Sequence, residues 1–225
     1  MKISSKLPPI ASDSCLLLPT YFPSISTMVR VAITANLTLE TEDNFQKQTN
    51  RTRTNIYSPN GLQTLTVPIK SSKQLHQKTK DVKIENDFNW QKQHLKSLEA
   101  AYRSSPFFEY FEDELQPIFL KKHHFLLDLN LETFDLVLKF LRLEKTFAIT
   151  NKYFKIPNNT IDCRPLADGK KDNSIFANYK QVFDNKHGFI NNLSVLDLIF
   201  NDGRFALNYL IDQEQYNLEQ QIFCQ

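Results

Sequence analysis

The chain has 225 residues with a formal net charge of +2, 41% hydrophobic residues and 23% charged residues. This size and composition fit a soluble globular protein that buries a core, and a charge this small does not by itself indicate nucleic-acid binding. Only four glycines are present, and no two lie close together, so GxGxxG and P-loop nucleotide sites are excluded.

Cysteine and histidine usage argues against a metal site. Cys15, Cys163 and Cys224 are widely spaced along the sequence and form no CxxC or Cys/His motif, which favours a reducing, cytoplasmic setting. His123 and His124 are adjacent, so on a helix they point about 100° apart and do not share a metal. No stretch approaches the ~20 apolar residues that a membrane helix needs. We therefore expect a cytoplasmic protein without a membrane span and without a metal.

The first elements predict a parallel strand-helix-strand unit. Cys15–Leu18 is an apolar run, Ile25–Thr34 has apolar residues at helical spacing, and Leu37–Thr41 reads as a second strand. Ligands of such units bind beyond the carboxyl ends of the strands. Thr20 and Tyr21 should lie there, together with residues 42–44, and the chain then enters a basic stretch.

An Asn-Gly pair within Ser58–Gly61 predicts a hairpin that pairs Thr52–Tyr57 with Leu62–Val67. Strand alternation would place Arg51 and Arg53 on the same side as a pair. Paired guanidinium groups suit a planar anion such as phosphate or carboxylate. A solvated basic hairpin face without a ligand is the alternative, and the pattern leaves both open.

Further polar side chains extend this candidate site. Gln46, Lys47 and Gln48 precede the arginines. Trp90 and His94 are i,i+4 partners, so they lie on one face of a predicted helix. His94 is therefore the acid–base candidate, with Trp90 as its aromatic neighbour. The alternative is that His94 serves only as a structural hydrogen-bond donor. We expect the end of the first strand, the basic stretch and the His94 helix face to line one pocket.

The second half of the chain predicts helices. Leu126–Leu143 has a regular amphipathic pattern, Ser105 followed by Pro106 indicates a helix start, and Ser194 with Asp197 resembles a capping box. The predicted fold class is therefore α/β, with an N-terminal strand-helix-strand and a β-hairpin packed with a helical C-terminal half.

Several motifs occur in a fixed order along the chain. They are LPTYFP from Leu18, QKQTNRTR from Gln46 with NGLQTLTVPI from Asn60, WQKQH from Trp90, YRSSPFFEY from Tyr102 and NLSVLDLIFNDG from Asn192. Together they resemble the WbqC-like family of bacterial proteins. The resemblance implies one domain over residues 15–211, between a flexible leader at 1–14 and a polar tail at 212–225. Arg204 stands where the family usually has proline, and the segment around 151–178 is shorter than usual.

The resemblance also implies a setting. The family is associated with gene clusters for surface polysaccharide, in particular the O-antigen of lipopolysaccharide. The resemblance therefore implies a protein that binds an anionic activated sugar or a nucleotide-linked donor. Its expected role is that of a transferase or of an accessory protein. In this hypothesis Arg51, Arg53 and Lys47 hold phosphate, and Gln46 and Gln48 contact hydroxyl groups. A polyanion- or RNA-binding module and a non-catalytic scaffold are the alternatives. The motifs specify neither a cofactor nor an oligomeric state.

Overall fold

The structure, a computed structural model, describes residues 14–72, 75–157 and 159–213. The predicted leader before Ser14 and the predicted tail after Gln213 lie outside these residues. In chain order the strands and main helices are β1 (Ser14–Leu17), α1 (Ile25–Ile33), β2 (Asn36–Leu39), β3 (Arg53–Ser58), β4 (Gly61–Thr66), α2 (Trp90–Tyr102), α3 (Phe108–Leu120), α4 (Leu126–Phe140), β5 (Phe147–Ile149), β6 (Ile161–Asp162), α5 (Asp184–His187) and α6 (Val195–Asp202).

The predicted α/β class is confirmed, since the strands lie mainly in the first half and most helices in the second. The predicted strand-helix-strand unit is confirmed as well, because β1 and β2 pair in parallel from Ser14↔Asn36 to Leu17↔Leu39. Ser24 caps α1 by accepting a hydrogen bond from the Thr27 N–H. None of the helices in the described ranges has the length and apolar character needed to cross a membrane.

The parallel sheet has the strand order β5-β2-β1-β6. The apolar sequence of β1 suits a central parallel strand, and Cys15 and Leu17 lie in the hydrophobic core. From β1 the chain crosses to β2 on one side, whereas β6 pairs on the other side of β1. In open parallel sheets a crevice forms at the carboxyl ends where such connections diverge. The topology therefore places a ligand crevice beyond the ends of β1 and β6.

The predicted hairpin is confirmed, with antiparallel pairing from Arg53↔Thr66 to Ser58↔Gly61. Gly61 has φ +92, a backbone conformation that favours glycine, at the end of the two-residue loop. The expected pairing of Arg51 with Arg53 on one strand is wrong. β3 begins at Arg53, and Arg51 lies in the preceding turn, where the Thr52 N–H donates to the Thr49 carbonyl at 3.1 Å. Strand alternation therefore does not apply to Arg51.

The helices of the second half bury the aromatic residues of the core. α4 begins at Leu126 as predicted and ends at Phe140, three residues before the predicted end. α3 begins after Phe107 without a side-chain cap, so the predicted start at Ser105 is wrong. Phe108 and Phe111 are buried against the rest of the core, and Phe107 packs against it.

Asp197 lies at the start of α6, but it does not complete the predicted capping box. Ser194 accepts the Leu196 N–H, while its own N–H donates to the Asn55 carbonyl at 2.8 Å and is not available to Asp197. The Asp197 carboxylate instead accepts hydrogen bonds from the Tyr179 hydroxyl at 2.6 Å and from Gln181 Nε2 at 3.1 Å. Burial raises its pKa to about 6.

Candidate functional site

A cleft of about 460 Å³ opens beyond the carboxyl ends of β1 and β6, where the sheet topology places a crevice. Most of the side chains around it are charged or polar. Its lining consists of Leu18, Asp43, Asn44, Gln46, Arg51, Lys78, Tyr153, Asp162, Arg164, Pro165, Ala167, Asp168 and Lys171. We refer to this site as the charged cleft.

A buried ion pair forms one wall of the charged cleft. Arg51 Nη2 lies 2.5 Å from Asp43 Oδ2, and Arg51 Nη1 donates to Thr49 Oγ1 at 3.1 Å. Arg51 is 3% exposed and Asp43 is 5% exposed, so both charges are largely removed from water. Such a pair is maintained only when the two partners neutralise each other.

Each member of this pair retains one polar atom without a partner. Within the described residues, neither Arg51 Nε nor Asp43 Oδ1 makes a hydrogen bond. A buried donor or acceptor that lacks a partner costs about 1–3 kcal/mol. Both residues line the charged cleft, but these two atoms themselves are buried.

A second ion pair lies on the β6 side of the cleft. Arg164 Nε donates to Asp162 Oδ1 at 2.8 Å, and Nη2 donates to Asp162 Oδ2 at 2.6 Å. These hydrogen bonds hold the pKa of Asp162 below its usual value. The guanidinium also donates to the Phe154 carbonyl at 2.7 Å and lies 5.2 Å from the centroid of the Tyr153 ring. Arg164 is thereby fixed in orientation beside the cleft.

Behind Arg164, the end of β2 supplies a fully buried carboxylate. Glu40 is 0% exposed, and its Oε1 accepts hydrogen bonds from Thr150 Oγ1 at 2.7 Å and from the Glu42 N–H at 2.9 Å. Its Oε2 has no hydrogen-bond partner in the described part of the chain and lies 3.8 Å from Arg164 Nη1. The Glu40 side chain therefore lies directly behind Arg164, beneath the surface of the site.

The rim of the charged cleft carries two lysines. Lys78 Nζ donates to the backbone carbonyl of Glu42, and Lys171 Nζ lies 3.2 Å from Asp168 Oδ2. The hydrogen bond from Lys171 lowers the pKa of Asp168. Within residues 14–72, 75–157 and 159–213, no group of three or more His, Cys, Asp or Glu side chains is arranged to hold a metal ion.

Hydrogen bonds from distant parts of the chain hold the cleft walls together. Asn130, on α4, is fully buried and donates from Nδ2 to the carbonyls of Pro19 at 3.1 Å and Arg51 at 3.0 Å. The Asn50 N–H donates to the Ala167 carbonyl at 2.8 Å. The end of β1, the turn that carries Arg51 and the segment after β6 are thus joined to one another.

The predicted binding residues divide between two clefts. Gln46 and Arg51 line the charged cleft. Lys47, Gln48 and Arg53 line a separate cleft of about 310 Å³ beside the hairpin. The turn before β3 separates the two groups, because successive residues of a turn do not point to one side as strand residues two apart do.

The remaining predicted residues lie in the core. The Tyr21 hydroxyl is 2.9 Å from His94 Nδ1, and the Trp90 and His94 rings pack with centroids 5.1 Å apart. Burial lowers the pKa of His94 to about 4, so the charged form of the imidazole is disfavoured. Thr20 is also buried. The two described clefts are lined by other residues, and the acid–base role of His94 stays a prediction.

Sequence reasoning missed Glu40, Asp162 and Arg164. Glu40 directly follows β2, and Asp162 and Arg164 lie at the end of β6. Charged residues that directly follow buried strands were the available signal, because carboxyl ends of parallel strands meet at one edge. β6 has only two residues, too few for a period to be recognised in the sequence.

Comparisons with known proteins agree with the resemblance of the motifs. The chain is similar to an uncharacterized protein, Rv1507c, of Mycobacterium tuberculosis (strain ATCC 25618 / H37Rv), with 27% identity over 196 residues that cover 74% of this chain and 83% of the relative. No solved structure matches the chain. The sequence model of the WbqC-like protein family matches residues 19–166, which include β2 to β6 but not β1 and contain most of the charged cleft. The chain therefore belongs to the WbqC-like protein family.

Proposed function

We propose that this protein binds an anionic activated donor, a nucleotide-linked or otherwise phosphate-linked sugar, in the charged cleft. In this proposal it acts in the cytoplasm in surface-polysaccharide biosynthesis of the O-antigen type, as a transferase or as an accessory of one. Family membership supports the biosynthetic setting. The observation that carries the proposal is the charged cleft itself, which lies beyond the carboxyl ends of β1 and β6 and is lined by the four cationic residues Arg51, Lys78, Arg164 and Lys171.

The chemistry of the lining supports a phosphate-bearing ligand with hydroxyl groups. Arg51 and Arg164 present planar guanidinium groups, which match phosphate oxygens. Lys78 and Lys171 add cations at the rim that can follow a flexible diphosphate. Ionised Asp162 and Asp168 are acceptors for sugar hydroxyls. The position beyond the carboxyl ends of parallel strands is where open α/β sheets bind ligands.

The alternatives receive less support. A polyanion such as RNA is bound mainly through many phosphate contacts on a strongly basic surface, whereas the formal net charge of this chain is only +2. A scaffold that binds its partners through the phenylalanines after Pro106 would need them exposed, but Phe108 and Phe111 are buried. A small anionic ligand in a cleft therefore remains the best supported function.

Calorimetric titration with a panel of nucleoside diphosphate sugars tests the proposal. We expect at least one to bind the wild-type protein, and we expect Arg164→Gln to weaken that binding by about 10- to 100-fold, the equivalent of a charge-assisted hydrogen bond of about 1.5–3 kcal/mol. Lys171→Ala should weaken binding by about 5-fold or less because its side chain is 76% exposed.

Lys170→Ala is the matched control, because Lys170 is the exposed neighbour of Lys171 and does not line the charged cleft. Its affinity should equal that of the wild-type protein. If no nucleotide sugar binds, or if Arg164→Gln binds as tightly as the wild type while remaining folded, the proposal is wrong.

A further inference from the structure

Four large apolar side chains are exposed close together from the end of β5 onward, within residues 149–156, which we call the apolar segment. They are Ile149 at 53% exposure, Tyr153 at 50%, Phe154 at 39% and Ile156 at 77%. Single exposed apolar residues are common on proteins, whereas a group of them usually marks a surface that contacts a membrane or another molecule. The apolar surface continues into a groove of about 390 Å³, which Ile149 and Phe154 line together with Leu16.

Hydrogen bonds hold the backbone of the apolar segment, so the exposure of its side chains is set by the fold. The Thr150 N–H donates to the last carbonyl of β2 at 3.0 Å. Arg164 donates from Nη1 to the Phe154 carbonyl at 2.7 Å and from Nη2 to the Lys155 carbonyl at 3.3 Å. Tyr153 lines the charged cleft. The apolar segment is therefore attached to one wall of that cleft.

The apolar segment also carries positive charge. Lys152 and Lys155 are both exposed, and the sequence has no acidic residue between Glu144 and Asp162. Asp162 is itself paired with Arg164 at 2.6 Å. Lysines beside exposed aromatic and aliphatic side chains suit an anionic membrane surface, because the lysines attract the headgroups while the apolar side chains enter the boundary of the acyl chains. Tyrosine is enriched in the same interfacial zone.

A second copy of the chain fits this surface less well. In a symmetric dimer the same surface meets itself, so Lys152 and Lys155 of the two copies would lie close to one another. Like charges that face each other across an interface reduce affinity. An anionic membrane presents the opposite charge to the same side chains, so it is the partner that the surface favours.

We propose that the apolar segment docks the protein on an anionic membrane surface, where Phe154 and Ile156 enter the lipid and Lys152 and Lys155 contact the headgroups. Because Tyr153 belongs to this segment and lines the charged cleft, docking holds the cleft close to the headgroups. This inference goes beyond the proposed function and does not depend on which ligand the cleft binds.

Sedimentation with lipid vesicles tests the inference. The probes are vesicles of phosphatidylcholine alone and vesicles of phosphatidylcholine mixed with phosphatidylglycerol, each incubated with the wild-type protein. We expect binding to the mixed vesicles and binding weaker by about 10-fold or more to the neutral ones, because each lysine near an anionic surface contributes to the attraction. High salt should release the protein from the mixed vesicles, since salt screens this attraction.

A matched pair of variants tests the apolar contact. Ile156→Ser should weaken binding to the mixed vesicles by about 10-fold, because an apolar side chain no longer enters the lipid. Leu120→Ser is the control, since Leu120 is 78% exposed at the end of α3, outside the apolar segment. Its binding should equal that of the wild type. Both side chains are mostly exposed, and circular dichroism establishes that both variants are folded.

A second pair of variants tests the charges. Lys152→Gln/Lys155→Gln should weaken binding to the mixed vesicles by roughly 5-fold for each lysine removed. Lys92→Gln/Lys96→Gln removes the same number of charges from two exposed lysines of α2. That control should change binding by about 2-fold or less, because its charges lie on another surface.

Any of three results would overturn the inference: no binding to the mixed vesicles, equal binding to both kinds of vesicle, or full binding by Ile156→Ser. A dimer that forms without vesicles and dissociates in Ile156→Ser, together with no vesicle binding, would overturn it in favour of a second copy of the chain. The proposed function is tested separately, because the nucleotide sugar titrations contain no vesicles. Ile156 is not a lining residue of the charged cleft, so Ile156→Ser should bind nucleotide sugars like the wild type.

Discussion

Replacing Arg51 by Met is expected to lower the free energy of unfolding by about 3–5 kcal/mol, the usual effect of removing one partner of a buried ion pair. The Asp43 carboxylate would remain 5% exposed without its cation, and Thr49 Oγ1 would lose the hydrogen bond from Arg51. Urea unfolding followed by circular dichroism, with the denaturant dependence of the free energy determined for each protein, measures this change.

Two comparisons make the result specific to burial. Arg103→Met breaks an ion pair with Glu112 whose atoms are also 2.5 Å apart, but the Arg103 side chain is 48% exposed, so the expected loss is about 1 kcal/mol or less. In the double variant Asp43→Leu/Arg51→Met no buried charge is left alone, and we expect it to be more stable than Arg51→Met alone. A loss below about 1 kcal/mol for Arg51→Met would show that solvent reaches Asp43.

This expectation concerns function as well as stability. A buried ion pair is often no more stabilising than well-packed apolar residues of similar volume, and the Arg51–Asp43 pair also leaves two buried polar atoms without partners among the described residues. Natural proteins depart from such rules mainly at functional sites. A ligand of the charged cleft should stabilise the protein, and the stabilisation should be smaller in the Asp43→Leu/Arg51→Met variant, because both residues line that cleft.

The elements that sequence predicted correctly have local signals. The apolar run of β1, the helical spacing of α1 and the Asn-Gly pair at Gly61 each act over a few residues, so the strand-helix-strand unit and the hairpin could be recognised. Open parallel sheets bind ligands beyond the carboxyl ends of their strands, so the sequence also predicted the position of a candidate site. The charged cleft lies at this position.

The residues that sequence did not find depend on contacts between distant parts of the chain. β6 pairs with β1, from which it is separated by most of the chain, and that pairing brings Asp162 and Arg164 to the cleft. No local pattern encodes this contact. The prediction that Arg51 and Arg53 lie on one strand was wrong for a different reason. It required β3 to begin two residues earlier than it does, and strand boundaries are the least certain part of a prediction.

The pH dependence of stability should be governed in part by two buried groups with effects of opposite sign. The pKa of His94 is lowered to about 4 by burial, whereas an unfolded histidine titrates near 6.5. Between these values the unfolded state binds a proton that the folded state does not bind, so stability is lost as the pH falls. The pKa of Asp197 is raised to about 6 by burial, so there the folded state binds the proton first and stability is gained as the pH falls.

Each effect amounts to on the order of 3 kcal/mol between neutral pH and pH 4, because one pKa unit corresponds to about 1.4 kcal/mol. The two effects should largely cancel in the wild-type protein, and single variants should reveal them. His94→Gln should gain stability relative to the wild type as the pH is lowered from 7 to 4, whereas Asp197→Asn should lose it over the same range. Urea unfolding curves at intervals of half a pH unit measure both differences.

The His94 result also bears on its predicted acid–base role. A general acid or base works best when its pKa lies near the working pH, and an imidazole with a pKa of about 4 is almost entirely neutral at pH 7. A difference in stability between His94→Gln and the wild type that stays constant from pH 7 to pH 4 would mean that His94 titrates alike in the folded and unfolded states. That outcome would contradict its burial against Tyr21 and Trp90 and would favour a catalytic role. A difference that shifts in favour of His94→Gln as the pH falls identifies His94 as a neutral hydrogen-bond partner of Tyr21 in the core. The search for the reacting groups would then move to the charged cleft.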